Sequence, residues 1–448
     1  MMFAAAGTFQ PRRLLAVPAL MVTLTAALPP AAVASMGNIG STYGVLPSDL
    51  ASAQALSMFS SQVSATFYNP AYLTTDPRGE LTAGMLHAQP DLEASGANGT
   101  YTLDKESQHV LIGMKTNLSS MLRNGPPIYL GFIAGVEKYG KEMLAFSSAT
   151  SAQGQFLHYG RQPLFLNVGA ASAVWRGLSL GASARVTLHA GAELRTVSDL
   201  AGNTEQEKLS VNAEPSIRMI YSASADLGDT FCPDRDCLLS GWEVAASYRT
   251  SSDTNTTVDA GVVIPGLIPA SDPLEFTIRT YDSYQPETLA LGVQYRGDGW
   301  RIGGSVEQQN WSGLSDKFDG DQVRDQANVR FDDILVPRIG AEYQLSRHFA
   351  LTTGLALQPS PLEDGLTPDV NYYDNDRLIA GIGLAAEYDR TRVLAYPVRL
   401  DIGYQYHRMD DREFTLSTIG QDNATVTNGA VTAGGDVHVV AGSVTLKF

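Results

Sequence analysis

The chain carries little charge, almost no cysteine and no long apolar run. Of its 448 residues only 17% are Asp, Glu, Lys or Arg, against about 25% in ordinary soluble domains. The charge it has is mostly acidic: 31 Lys and Arg against 47 Asp and Glu, a net −16. Such a balance offers nucleic acid no footprint and a membrane surface no basic patch. Mean hydropathy is −0.07, too low for a bundle of membrane-spanning helices. Beyond residue 34 no apolar stretch approaches the ~18 residues that a helical span needs. No catalytic set stands out: H-E-x-x-H and P-loop sequences are missing, and the seven histidines are scattered. A Ser/His lipase has candidates in His158, His189, His348 and His407, but a chain of this size carries such histidines by chance. Neither an enzyme nor a cofactor is expected.

Met1 to Ala34 reads as an export signal. Arg12 and Arg13 form its positive start, Leu14 to Leu28 its apolar core, and Ala32-Val33-Ala34 a small-residue cleavage site. The core is too short for an anchor helix. The two cysteines, Cys232 and Cys237, stand in FCPDRDC. Export permits a disulfide. Two thiols without a nearby His are only half a zinc set, so a local disulfide is expected and no metal.

Downstream, apolar and polar residues alternate with period 2, as in strands with two unlike faces. From Leu178 to Ala190, Leu180, Ala182, Ala184, Val186 and Leu188 share one face; Ser179, Ser183, Arg185, Thr187 and His189 share the other. Leu209–Ala223, Trp242–Arg249 and Val398–His407 repeat the pattern. About 14 strands follow: 79–92, 107–116, 126–137, 163–174, 178–192, 209–226, 241–251, 287–295, 300–311, 332–344, 348–358, 377–388, 398–412 and 436–448. A soluble sandwich also alternates. Three features favour a membrane barrel: strands of ~10 residues, turns that alternate short and long, and a last strand ending in Phe448. Trp175–Gly177, Arg296–Gly299 and Leu345–Arg347 are short and fall on the side of the C-terminus, hence periplasmic. The segments 252–286, 312–331, 359–376 and 413–435 are long and read as outer loops. The expected fold is all-β: a transmembrane antiparallel barrel of about 14 strands over 79–448, with an N-terminal hatch, 35–78, in its lumen.

That hatch is the one stretch that does not alternate. It ends in Ser64-Ala-Thr-Phe67-Tyr68-Asn69-Pro70-Ala71, and an Asn-Pro step halts a helix. The segment resembles the end of the hatch in FadL-type outer-membrane transporters. Pro286-Glu-Thr-Leu-Ala-Leu-Gly with Trp300 and Gln309-Asn-Trp-Ser312, then Ile334-Leu-Val-Pro-Arg, Pro359-Ser-Pro361 and Asn375-Asp-Arg-Leu378, resemble later strands of that family in the right order. The resemblance implies a 14-stranded barrel and passive uptake of hydrophobic molecules across the Gram-negative outer membrane. Long-chain fatty acids are the expected ligand. An aromatic-hydrocarbon channel of the same fold and a structural or adhesive surface barrel are the alternatives, and an open porin is disfavoured by the hatch. The partners implied are a hydrophobic small molecule, outer-membrane lipid and lipopolysaccharide, with the chain a monomer.

An Arg facing lipid at the midplane costs about 2–4 kcal/mol, so Arg185, Arg218, Arg338 and Arg399 are expected to face the lumen. An internal salt-bridge lattice would occupy most of them. Arg185 and Arg218 are the candidates to grip a ligand carboxylate by a bidentate fork. The apolar run Val262-Val-Ile264-Pro-Gly-Leu267-Ile268 is either a tucked-in loop core or a landing surface for an apolar ligand.

Overall fold

The computed structural model describes residues 35–36, 39–96, 99–103, 106–119, 125–138, 144–146, 164–199, 204–232, 237–263, 274–319, 330–364, 371–389, 395–419 and 425–448. The expected export signal lies outside them. Fourteen antiparallel strands close into one barrel. They are β1 (Glu80–Gly96), β2 (Ser107–Asn117), β3 (Ile128–Lys138), β4 (Leu164–Trp175), β5 (Leu178–Asp199), β6 (Thr204–Asp226), β7 (Trp242–Arg249), β8 (Glu287–Gly297), β9 (Trp300–Asn310), β10 (Ile334–Gln344), β11 (Phe349–Gln358), β12 (Arg377–Tyr388), β13 (Val398–Ile419) and β14 (Thr425–Lys447). Closure joins β1 to β14, from Glu80 opposite Lys447 to Gly96 opposite Val431. Two hydrogen bonds between Gly79 and Phe448, 2.8 and 2.9 Å, finish the seam. A closed wall leaves no strand edge in the bilayer, where an unpaired backbone group would find no water.

The alternation fixes which face meets lipid. On β2, His109 and Leu111 are buried, while Val110, Ile112 and Met114 are 61%, 57% and 44% exposed. Large apolar side chains left outside are what a lipid solvent requires. Exposed aromatics gather at the end of the barrel that holds both its chain ends: Trp175, Trp300, Tyr343, Tyr396 and Phe448. Such aromatics mark one edge of the apolar band.

Two expected outer loops are largely strand. In 413–435, β13 and β14 run on as one hairpin, and β5 and β6 reach 22 and 23 residues in the same way. In 252–286, Ser252–Val263 pairs with Leu274–Gln285, and the first of these also lies parallel to β5, Val258 opposite Leu194. The reason is local: Thr254-Asn-Thr-Thr-Val258 and Phe276-Thr-Ile-Arg-Thr280 are rich in β-branched residues.

The hatch fills the lumen. It holds three short helices, α1 (Ile39–Thr42), α2 (Pro47–Ala51) and α3 (Ala65–Tyr68), and two 3-10 turns, Ser57–Phe59 and Pro70–Thr74. Pro47 opens α2, where its missing N–H is no loss, and the Asp49 carboxylate accepts from the Leu46 N–H at 3.0 Å. Asn69, before Pro70, is pushed out of the helical region to φ −155°. α2 lies against β11–β14, and Pro70–Thr74 against β3–β6. Where α2 meets the wall, the wall has no side chain. A Cβ on Gly354 would sit 2.0 Å from the Ser52 carbonyl oxygen, and one on Gly381 2.4 Å from that of Leu50. Only glycine allows so close an approach.

Candidate functional site: the hatch and the lumen around it

The lumen-facing arginines are engaged by carboxylates or by neutral acceptors. Arg185 and Arg218 face each other in the β5–β6 ladder. Arg185 Nη2 lies 2.7 Å from Glu137 Oε1, and its guanidinium stacks 4.5 Å from the Phe165 ring and 5.4 Å from that of Phe67. Arg218 donates to four neutral acceptors: Thr250 O at 2.7 Å, Gln285 Oε1 at 2.9 Å, Pro286 O at 2.6 Å and Thr288 Oγ1 at 3.1 Å. Nearby, Arg249 and Arg338 share Glu307 at 2.7 and 3.6 Å. Lower down, Arg301 pairs with Glu342 at 2.9 Å and Arg399 with Asp401 at 2.8 Å. Buried charges persist only with partners, and here wall and hatch supply them.

The hatch motif is knitted into this lattice. Phe67 lies between Arg185 and Arg249, whose guanidinium is 5.7 Å from its ring. The Tyr68 hydroxyl donates to Gly40 O at 2.7 Å, and Asn69 Nδ2 to Met58 O at 2.7 Å. Pro70 is buried at the start of its turn, and the Ala71 N–H donates to Ser222 Oγ at 2.9 Å. Tyr72, which the sequence reading passed over, touches three wall groups: it donates to Glu243 and accepts from Gln294 at 3.1 Å and Arg296 at 2.7 Å. Burial drives its pKa up, with Glu243 adding to the effect. Burial also pushes the Asp49 carboxyl up to about 6, against the hydrogen bonds from the Leu46 N–H and the Ser64 hydroxyl.

Outward of the hatch lies a cavity of about 40 Å³, whose lining includes Ser41, Thr42, Arg218, Arg249, Thr288 and Trp311. An apolar cavity of ~150 Å³ is what it takes to hold benzene. This cavity falls well short of that. Around it runs a continuous apolar cluster in which Ile39, Tyr43 and Leu50 of the hatch meet Trp311, Leu314, Phe331, Leu362 and Phe414. Trp311 stands in the Gln309-Asn-Trp-Ser312 motif. The others come from segments far apart in sequence, and no local signal links them.

Of the apolar run in 252–286, Val262 pairs through its backbone with Leu274. Its side chain, and Ile264, Leu267 and Ile268, lie outside the described residues. The Cys232 and Cys237 sulfurs are 2.08 Å apart, after α4 (Leu227–Phe231) at the end of the barrel that holds its chain ends. Gly177-Leu-Ser179-Leu-Gly181 spells G-x-S-x-G, contrary to the expectation that no catalytic motif is present. It lies in the tight turn and first residues of β5 rather than between a strand and a helix, the setting a nucleophile elbow needs. The Ser179 hydroxyl is hydrogen-bonded to Thr74 at 2.7 Å. Among the described residues no group of three His, Cys, Asp or Glu is placed to hold a metal ion.

No family model matches the chain. It is 57% identical over 442 residues to alkane uptake protein A of Marinobacter nauticus, covering 97% of this chain and 96% of that one. A FadL homologue from Pseudomonas aeruginosa has the same fold, with a TM-score of 0.59 at 13% identity over 89% of this chain and 98% of that one. So does the toluene transporter TodX of Pseudomonas putida, with a TM-score of 0.54 at 13% identity over 91% and 99%. With a closed fourteen-stranded wall, a hatch in its lumen and a relative that matches nearly end to end, the chain belongs to the FadL-type outer-membrane transporters of hydrophobic compounds.

Proposed function

We propose that this transporter takes uncharged, unbranched hydrocarbons across the outer membrane without an energy source, through a lumen opened by movement of the hatch. The carrying observation is the apolar cluster. It runs from Trp311 and Phe414 to Ile39 and Leu50 of the hatch, so an alkyl chain would keep apolar contact up to the gate. The arginines beside it are engaged with Glu137, Glu307 and backbone carbonyls. The name of the Marinobacter nauticus relative points to the same ligand class. In this reading residues 1–34 direct export, 35–78 act as the gate, and the run Val262, Ile264, Leu267 and Ile268 receives ligand from the lipopolysaccharide leaflet. The chain works as a monomer with Cys232–Cys237 as a clip on a periplasmic turn.

A second reading, long-chain fatty acids, is favoured by Arg218, whose charge has no carboxylate partner among the described residues. Arg185 would be its neighbour at such a site. Uptake of labelled hexadecane, palmitate and toluene by cells with and without the protein separates the readings. Hexadecane uptake that depends on the protein and survives Arg218→Gln supports the first. Uptake confined to palmitate, and lost in Arg218→Gln, replaces it with the second. Uptake confined to toluene makes the protein an aromatic-hydrocarbon channel. If no solute depends on the protein, the surface-barrel alternative takes over.

A further inference from the structure

Ala53 and Gln54 have φ of +47° and +63°, the only residues other than glycine with positive φ among those described. Left-handed backbone is costly for a residue with a Cβ, and two in succession persist only where the surroundings hold them. Here two things hold them. The turn is buried and seated on the wall, with Ser52 O over Gly354 and Leu50 O over Gly381. Gln54 also reaches back along the hatch, where its Nε2 donates to Ser41 O at 3.0 Å and Thr42 O at 3.1 Å. Ser41 and Thr42 are the hatch residues that line the cavity. The cavity wall and the strained turn are therefore joined by one side chain.

We propose that Gln54 couples ligand entry to hatch opening: a molecule that enlarges the cavity displaces Ser41 and Thr42, breaks both Gln54 hydrogen bonds and releases the left-handed turn. The relaxed turn returns to the right-handed region and lifts residues 44–52 from their glycine seats. This rests on the uptake reading above. Gln54 acts as a positioning residue, since it need not touch the ligand.

Two substitutions with opposite expected effects test it in the full-length protein. Ala53→Gly keeps both Gln54 hydrogen bonds but removes one left-handed penalty, so the closed hatch is harder to open. Hexadecane uptake should fall about 5- to 30-fold, the range one left-handed residue commands, with surface abundance unchanged. Gln54→Ala keeps the strain and removes the tie. In planar bilayers its ion conductance without hydrocarbon should exceed that of the wild type at least tenfold. A turn that is merely structural predicts unchanged uptake for Ala53→Gly. That result, or a Gln54→Ala protein that is folded and as tight as the wild type, overturns the coupling. If Gln54→Ala does not fold, the Ala53→Gly result alone decides. If wild-type cells take up no hexadecane, the hydrocarbon reading falls, and the conductance of both variants still decides whether the turn is a spring.

Discussion

The two halves of the hatch are held by different physics. Residues 57–74 are bolted to the wall by polar bonds. Arg301 donates to Phe59 O, Lys115 to Ser61 O, Ser183 to Thr66 O, and the Ala71 N–H to Ser222, all between 2.6 and 2.9 Å. Val63 meets Glu80 and Tyr72 meets Glu243 as well. Among the described residues, 44–56 take fewer bonds from the wall: Gln405 Nε2 donates to Leu50 O at 3.1 Å, and His109 is hydrogen-bonded to the Val45 backbone. That stretch otherwise rests on glycine seats and bonds internal to the hatch. Polar bonds to charged groups lock a geometry. Close packing on bare backbone holds a shape and lets go once that shape changes. In the proposed gating the second half would be the anchor and the first half the moving leaf.

The largest test of this contrast is pH. Asp49 belongs to the leaf and titrates at about 6 while seated, against about 3.9 for a carboxyl in water. A proton therefore favours the seated leaf. Its hold is fullest below about pH 4 and is lost as pH rises through 6, by about 3 kcal/mol in all. Ion leakage through the purified channel should rise between pH 4 and pH 7, and Asp49→Asn should flatten that curve near its acid level. A wild-type leak that ignores pH would remove Asp49 from the gate.

Gly354→Leu attacks the seat itself. The new side chain would meet Ser52 O at the first carbon, an overpacking that costs about 1–3 kcal/mol. The leaf should detach and the channel leak while the barrel still migrates as a folded band. Tyr72→Phe attacks the anchor with an effect of about 1–3 kcal/mol, because Glu243 loses a buried donor. It should lower thermal stability without opening the lumen. Were Tyr72→Phe to leak as much as Gly354→Leu, the division into leaf and anchor would not hold. The smallest effect belongs to Gln405→Leu. Its bond to His407 lies within the wall, so the leaf loses one neutral hydrogen bond, about 1 kcal/mol, which should raise the leak only severalfold, as single-channel recording can resolve.

How much was legible in the sequence follows from what each part must satisfy. The strand β11, read as 348–358 and found at Phe349–Gln358, was legible because lipid on one side and lumen on the other force alternation residue by residue. The hairpins beyond the membrane face water on both sides. There β5 and β13 run past the lengths that alternation indicated. The lumen-facing arginines were legible because lipid excludes them. Their partners were not: Arg185 with Glu137 and Arg249 with Glu307 join residues 48 and 58 apart, a matter of barrel register. The Ala53–Gln54 turn has no glycine or asparagine to betray it. Residues that break a local rule inside an otherwise regular fold are where function is to be sought.

The bare backbone beneath α2 has a consequence for how such proteins can diverge. At Gly354 and Gly381 the wall records the outline of the hatch as missing atoms. A plug from another barrel would carry its own bulges and find these hollows in the wrong places. Hatch and barrel are therefore a matched casting, and a change of cargo that reshapes one must be answered at the glycines of the other.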